Sequence, residues 1–374
     1  MQVHMHQDGM KLSKLLVALV VSFLFFQCVS FFMLTTTCRA GVPITLYVGA
    51  GEEYHHIQDA IDNASAGYRI FVYNGTYYEN ITIDKRIDLF GEDRSITIIN
   101  GNGTDTVITI TANNVNISHF TIKNGGSTRN DCIIQVNGAS SIITDTIISN
   151  GYYGIYLNHS GDHLIYDNII RNNRGDGISL NRSDSNVNIS FNTLTSNNNG
   201  ISVYSSDNNG LYNNIIQHNN ANGIFLNRSS TTNTIADNNC SYNNYSGLYL
   251  NDYSDHSTLF HNQVFQNSQS GITLENCSWA NISHGNTVES NYNYGIMIVG
   301  SHNSIQNNTI IYNRKDGMYL SADNDNTISS NTIGYNTRAG IRLYNSTADE
   351  ISIVDDGKKI AFTGLPERRD SSRR

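Results

Sequence analysis

A Gly followed by an apolar, any and an apolar residue recurs nine times in this chain at almost constant spacing. It reads GIYL at Gly154, GISL at Gly177, GISV at Gly200, GIFL at Gly223, GLYL at Gly247, GITL at Gly271, GIMI at Gly295, GMYL at Gly317 and GIRL at Gly340. Successive glycines stand 22 to 24 residues apart. Self-similarity at such a period is the signature of stacked units, each unable to bury its apolar face alone.

Asn follows the same period. All 53 Asn residues fall between Asn63 and Asn345. One stands four residues before the glycine in eight of the nine repeats, as at Asn150, Asn173, Asn219 and Asn243. A second series runs through Asn168, Asn192, Asn214, Asn238 and onward, and a third includes Asn209, Asn233, Asn281, Asn303 and Asn326.

Each repeat holds three short alternating runs, such as NSIQN, NTIIY and GMYL within residues 303–320. Alternation over four or five residues predicts half-buried strands, because successive side chains point to opposite faces. Helices need longer uninterrupted runs. The expectation is all-β: a single-stranded parallel β-helix of about eleven coils, each of 22–24 residues and three strands, roughly 50 Å long. Leucine-rich repeats share the length but lack this consensus. Only two prolines occur, as central parallel strands require. The Asn columns are expected to serve both turn conformation and hydrogen-bonded ladders between coils. Cys240 falls on an inward position with Ile170, Leu194 and Ile216. With Cys132 and Cys277 it makes an odd set that implies no disulfide framework.

Residues 1–40 read as a signal peptide or membrane anchor. Lys11 and Lys14 precede the apolar run from Leu15 to Leu34, about twenty residues long, enough for a bilayer span. Either reading puts the remainder outside the cytoplasm, with membrane attachment through Leu15 to Leu34 in the second. Residues 41–110 read as a cap and first coils, with an amphipathic helix placing Ile57, Ala60, Ile61 and Ala64 on one face. Residues 111–350 carry the regular repeats, and 351–374 a charged tail.

The segment YHHIQDAIDNASAGYRIFVYNGTYYENITIDKRIDLFGE resembles the opening of carbohydrate-binding and sugar-hydrolase (CASH) parallel β-helix proteins. The GIYL and NTI repeats resemble those of NosD proteins and of archaeal surface proteins. The resemblance covers residues 44–346 and implies a right-handed, pectin-lyase-like β-helix with an N-terminal capping helix. It also implies an accessory role in copper-enzyme maturation or transport as one function. The fold alone selects no activity.

A net charge of -9 disfavours nucleic acid, whose phosphates need clustered Lys and Arg. The outward position of the Gly strand reads Tyr156, Ser179, Ser202, Phe225, Tyr249, Thr273, Met297, Tyr319 and Arg342. Phe225, Tyr249 and Tyr319 are candidate platforms for sugar rings, although strands favour aromatic residues in any case. Asp176 and Asp316 lie six coils apart, roughly 29 Å, too far to act together. Asp252 and Glu275, in adjacent coils with Arg228 one coil earlier, form the candidate acid, acid and cation of a polysaccharide lyase, hydrolase or epimerase. A solvated surface ion pair accounts for the same three residues. Copper needs clustered His, Met or Cys. His163, His256, His261, His284 and His302 are expected in different columns or non-adjacent coils, so no metal or cofactor is predicted. The leading expectation is an exported, non-catalytic β-helix that binds a polysaccharide or envelope glycan, or builds the envelope.

Overall fold

The computed structural model describes residues 43–182, 185–321, 325–345, 350–355 and 360–363. The chain divides into two units, Met1–Pro43 and Ile44–Arg374, and all described elements belong to the second. The segment Leu15 to Leu34 lies outside the described residues, as does the end of the tail from 364. Among the described residues, no helix is long and apolar enough to cross a membrane.

One coil shows the plan. Strand Ile142–Thr144 belongs to sheet 1, Ile147–Ser149 to sheet 2 and Tyr153–Asn158 to sheet 3. Each pairs in parallel with its counterpart one repeat later, Ile142 with Leu164, Ile147 with Ile169 and Ile155 with Ile178. Among the described residues, sheets 1 and 2 together hold 25 strands, joined because Thr327–Gly334 runs through both; sheet 3 holds 13. The unit is a right-handed parallel β-solenoid of about 13 turns, roughly 60 Å at one strand spacing per turn.

The expected eleven coils were too few because both ends lack the Gly and Asn columns. At the start, Thr45–Val48 pairs with Tyr68–Val72, and Gly75–Tyr77 with Thr97–Asn100. At the end, Glu350–Asp355 pairs with Thr327–Gly334 and Ile360–Thr363 with Ile341–Tyr344. Part of the expected tail thus continues the solenoid.

Inward residues stack as a dry core. Ile155, Leu157, Ile178 and Leu180 are all fully buried. Cys240 stacks between Ile216 and Val264 and is fully buried too, like an apolar residue.

The corners are where the Asn columns act. At the corner between sheets 2 and 3, Asn243 donates its peptide N–H and its Nδ2 to Asn267 Oδ1, at 3.0 and 3.1 Å. Asn267 does the same to Asn291, at 3.1 and 3.0 Å. The Nδ2 of Asn243 also donates to Ile216 O at 3.1 Å, so the buried amide is satisfied. Equivalent ladders run along the corner between sheets 1 and 2 and the corner between sheets 3 and 1.

The left-handed turn conformation belongs to a different residue. It sits one position earlier, at Asp167, Asn172, Asp237, Tyr242 and Tyr312, for example. Two of the expected ladder residues are displaced by one. Asn150 has φ 63, and Gly151 occupies the ladder position, donating to Asn173 Oδ1 at 3.0 Å. Asn281 lies in strand Asn281–Ser283, while Ala280 N–H donates to Asn303 Oδ1 at 2.9 Å.

The periodic glycines have a steric cause. A Cβ on Gly177 would stand 2.7 Å from Gly200 O and 2.9 Å from Asn197 Nδ2. The ladder of the next coil leaves no room for a side chain there.

Helix Ile57–Asn63 caps the first coils, burying Ile57, Ala60 and Ile61. The side chain of its N-cap residue His56 makes no capping hydrogen bond. Instead the Glu79 carboxylate accepts from Ile57 N–H at 2.9 Å and Gln58 N–H at 3.0 Å, satisfying donors the helix start leaves open.

Candidate functional site

Sheet 3 presents its outward column in unbroken register. Ser202 pairs with Phe225, Phe225 with Tyr249, Tyr249 with Thr273, and Met297 with Tyr319. Phe225 and Tyr249 therefore lie one coil apart, their rings 5.2 Å from centroid to centroid. Tyr204 extends the row on the other side, edge-on to Phe225 at 5.8 Å. Tyr204 closes its strand two residues after Ser202, so it shares the outward face. Only the first outward position of each strand is marked by the glycine, which is why Tyr204 escaped the sequence reading.

Glu275 ends strand Ile272–Glu275, in register with Asn251. The Tyr249 hydroxyl donates to its carboxylate. Burial first, then this bond and the Glu275 charge, push the Tyr249 phenol well above its usual value, so the proton stays on Tyr249. Asp252 follows Asn251 in a left-handed turn, φ 53, and its N–H donates to Glu275 O at 3.2 Å. Arg228 holds the same turn one coil earlier, φ 54. The turns are tied by Ser229 N–H donating to Asp252 O at 2.8 Å. Among the described residues, no ion pair within 4.0 Å joins Arg228 to Asp252 or Glu275. The three charged candidates are neighbours on the rim of sheet 3, beside the aromatic row.

Tyr319 is not part of that row. It lies three coils from Tyr249 and stacks on Tyr294 at 4.7 Å. Beside it, buried Asp316 accepts two bonds from the Arg342 guanidinium, at 2.8 and 3.0 Å. Asp176 is likewise buried and saturated, accepting from Asn199 N–H and Nδ2 at 3.0 and 2.8 Å and from Ser202 Oγ at 2.7 Å. Both carboxylates hold the backbone together.

A scan against protein-family models matches one described as periplasmic copper-binding protein (NosD), over residues 61–270 and 251–353. The chain belongs to the NosD family. That description is extracytoplasmic, as the reading of the first forty residues expects. No curated protein matches the chain.

Solved structures resemble the fold. The A-module of a mannuronan C-5 epimerase from Azotobacter vinelandii gives a TM-score of 0.67 at 15% identity, over 83% of this chain and 94% of that one. A doubly substituted periplasmic alginate epimerase, AlgG, gives 0.62 at 14% identity, over 86% of both chains. A thermostable α-1,3-glucanase from Streptomyces thermodiastaticus gives 0.59 at 15% identity, over 87% of this chain and 70% of that one. At these identities the likeness is one of architecture.

The family's copper can be tested against the donors present. Cys132, Cys240 and Cys277 are each buried and free, and burial pushes the Cys132 and Cys277 thiols up to about 12. His261 and His284, expected apart, occupy consecutive coils of one turn column, since His261 N–H donates to His284 O at 3.3 Å. An extra residue, Gly285, had hidden the register. His261 Nδ1 lies 3.5 Å from Asp237, and His284 Nδ1 lies 2.7 Å from Ser283 Oγ. His256 and His302 flank the Trp279 ring, at 6.2 and 4.3 Å. Among the described residues, no group of three or more His, Cys, Asp or Glu converges. The described donor set does not fit copper.

Proposed function

We propose that this chain is an extracytoplasmic β-helix protein that holds a glycan along sheet 3 without cleaving it. The observation that carries this is the row Tyr204, Phe225 and Tyr249. Their rings are spaced 5.8 and 5.2 Å and half-buried in the sheet, so their orientation is set before a ligand arrives. Such rings offer apolar faces to the C–H side of pyranoses, while Glu275 beside Tyr249 accepts hydroxyl protons. Rigid aromatic contacts lose little entropy on binding.

The alternative is catalysis at Asp252 and Glu275 with Arg228 holding a substrate carboxylate. Its support is their adjacency, together with neighbours of the same architecture whose names describe polysaccharide enzymes. Against it stands the engagement of Glu275 by a phenol that keeps its proton.

A screen of the full chain for retention and turnover on a glycan panel separates the two. Binding predicts retention without product, lost in Tyr249→Ala. A product that disappears in Glu275→Ala would replace binding with catalysis. If Tyr249→Ala retains every glycan that the unmodified chain retains, the row is only the outside of a scaffold.

A further inference from the structure

A concavity lies away from the outward face of sheet 3, over the corner between sheets 2 and 3. Its volume is about 560 Å³, within the range of roughly 300–1,000 Å³ common to ligand pockets. Two columns bank it. The first is the left-handed turn column, His218, Tyr242, Gln266, Ser290, Tyr312 and Tyr335, with φ between 53 and 58 throughout. Bulky residues rarely adopt that conformation, yet here it throws each side chain outward in register. The second column follows the buried ladder and carries Ser268, Tyr292 and Arg314.

Stacking fills the first column at both ends but not in the middle. His218 and Tyr242 stack at 5.0 Å, and Tyr312 and Tyr335 at 5.0 Å. Between these pairs stand Gln266 and Ser290, which carry no ring. The gap from Tyr242 to Tyr312 spans three coils, roughly 14 Å. It is walled by aromatic residues and lined by an amide and two hydroxyls.

Arg314 sets the charge of the groove. Its guanidinium lies over the Tyr292 ring at 3.7 Å. Among the described residues, no carboxylate comes within 4.0 Å of it. The lining itself holds no carboxylate; Glu289, one residue before Ser290, stays outside it. A stacked guanidinium keeps its hydrogen-bonding fork free at the edge, suited to a carboxylate.

We propose that this groove binds an acidic saccharide, with the carboxylate of a uronic acid on Arg314 and pyranose faces against Tyr242 and Tyr312. Gln266, Ser268 and Ser290 would meet the ring hydroxyls. The site is independent of the sheet 3 row.

Calorimetric titration of the full chain with a galacturonic acid tetramer and a neutral galactose tetramer tests it, at one ionic strength. The acidic tetramer should bind tighter by roughly tenfold or more, the scale of a charge-assisted bidentate contact. Arg314→Gln should erase that preference, and Arg314→Lys should keep only part of it. Ser290→Trp should close the groove to both tetramers; Trp279 already holds that backbone conformation elsewhere, φ 60. Phe225→Ala should leave this binding unchanged. The proposal is overturned if the unmodified chain does not bind the acidic tetramer or does not prefer it. It is equally overturned if the preference survives Arg314→Gln, or vanishes in Phe225→Ala instead.

Discussion

Asn and its predecessor divide the work of each turn. The ladder Asn, such as Asn243, is buried, donates through its N–H and Nδ2 and accepts at Oδ1, while the residue before it takes the left-handed conformation and faces solvent. The ladder was legible because Asn, whose short amide reaches the next coil, recurs at this position through most of the regular coils. The turn residue was not, because Tyr, His, Phe and Gln carry no turn signal of their own. His163 shows what the ladder position demands. Its Nδ1 accepts from Ser141 N–H at 3.1 Å, and its Nε2 meets Ser160 Oγ at 2.9 Å. Burial pulls its pKa down to about 4. Above about pH 6.5 neither folded nor unfolded chain protonates this ring. Between 6.5 and 4 the unfolded chain takes up a proton that the folded chain refuses, so stability falls with pH by up to about 3 kcal/mol. Denaturation midpoints between pH 7.5 and 4.5 should therefore drop more steeply for the unmodified chain than for His163→Asn. Parallel slopes would remove His163 from this role.

Strand identity was readable from alternation alone, even where strands are only three residues long. Ile310 stacks between Val288 and Ile333 and is fully buried. Replacement by Ala leaves a cavity in a ladder that cannot collapse without shifting two neighbours. Ile310→Ala should cost about 2–5 kcal/mol, read as a lower denaturation midpoint because repeat arrays need not unfold in two states. An unchanged midpoint would mean that the column does not pack as a core. The cap was legible as an amphipathic helix. Its anchoring by Glu79, distant in sequence, had no local signal.

At the scale of the molecule, the period gave the solenoid but not its ends. The first coils replace the Gly and Asn columns with individual contacts, such as Asn80 Nδ2 donating to Thr104 O and Thr106 O at 2.9 and 2.8 Å. The candidate site was partly legible for the same reason. Register put Phe225 and Tyr249 together from counting alone, and Asp252 with Glu275. Counting could not foresee that Tyr319 turns to Tyr294, or that the Tyr249 hydroxyl occupies Glu275. On sheet 3 the proposed glycan platform is the row Tyr204, Phe225 and Tyr249. The most direct measurement is the dissociation constant of a glycan retained by the full chain, compared with that of Phe225→Ala at a matched denaturation midpoint. Loss of one of three stacking faces should weaken binding by roughly tenfold, the equivalent of about 1.4 kcal/mol. An unchanged constant, with both proteins equally stable, would contradict it.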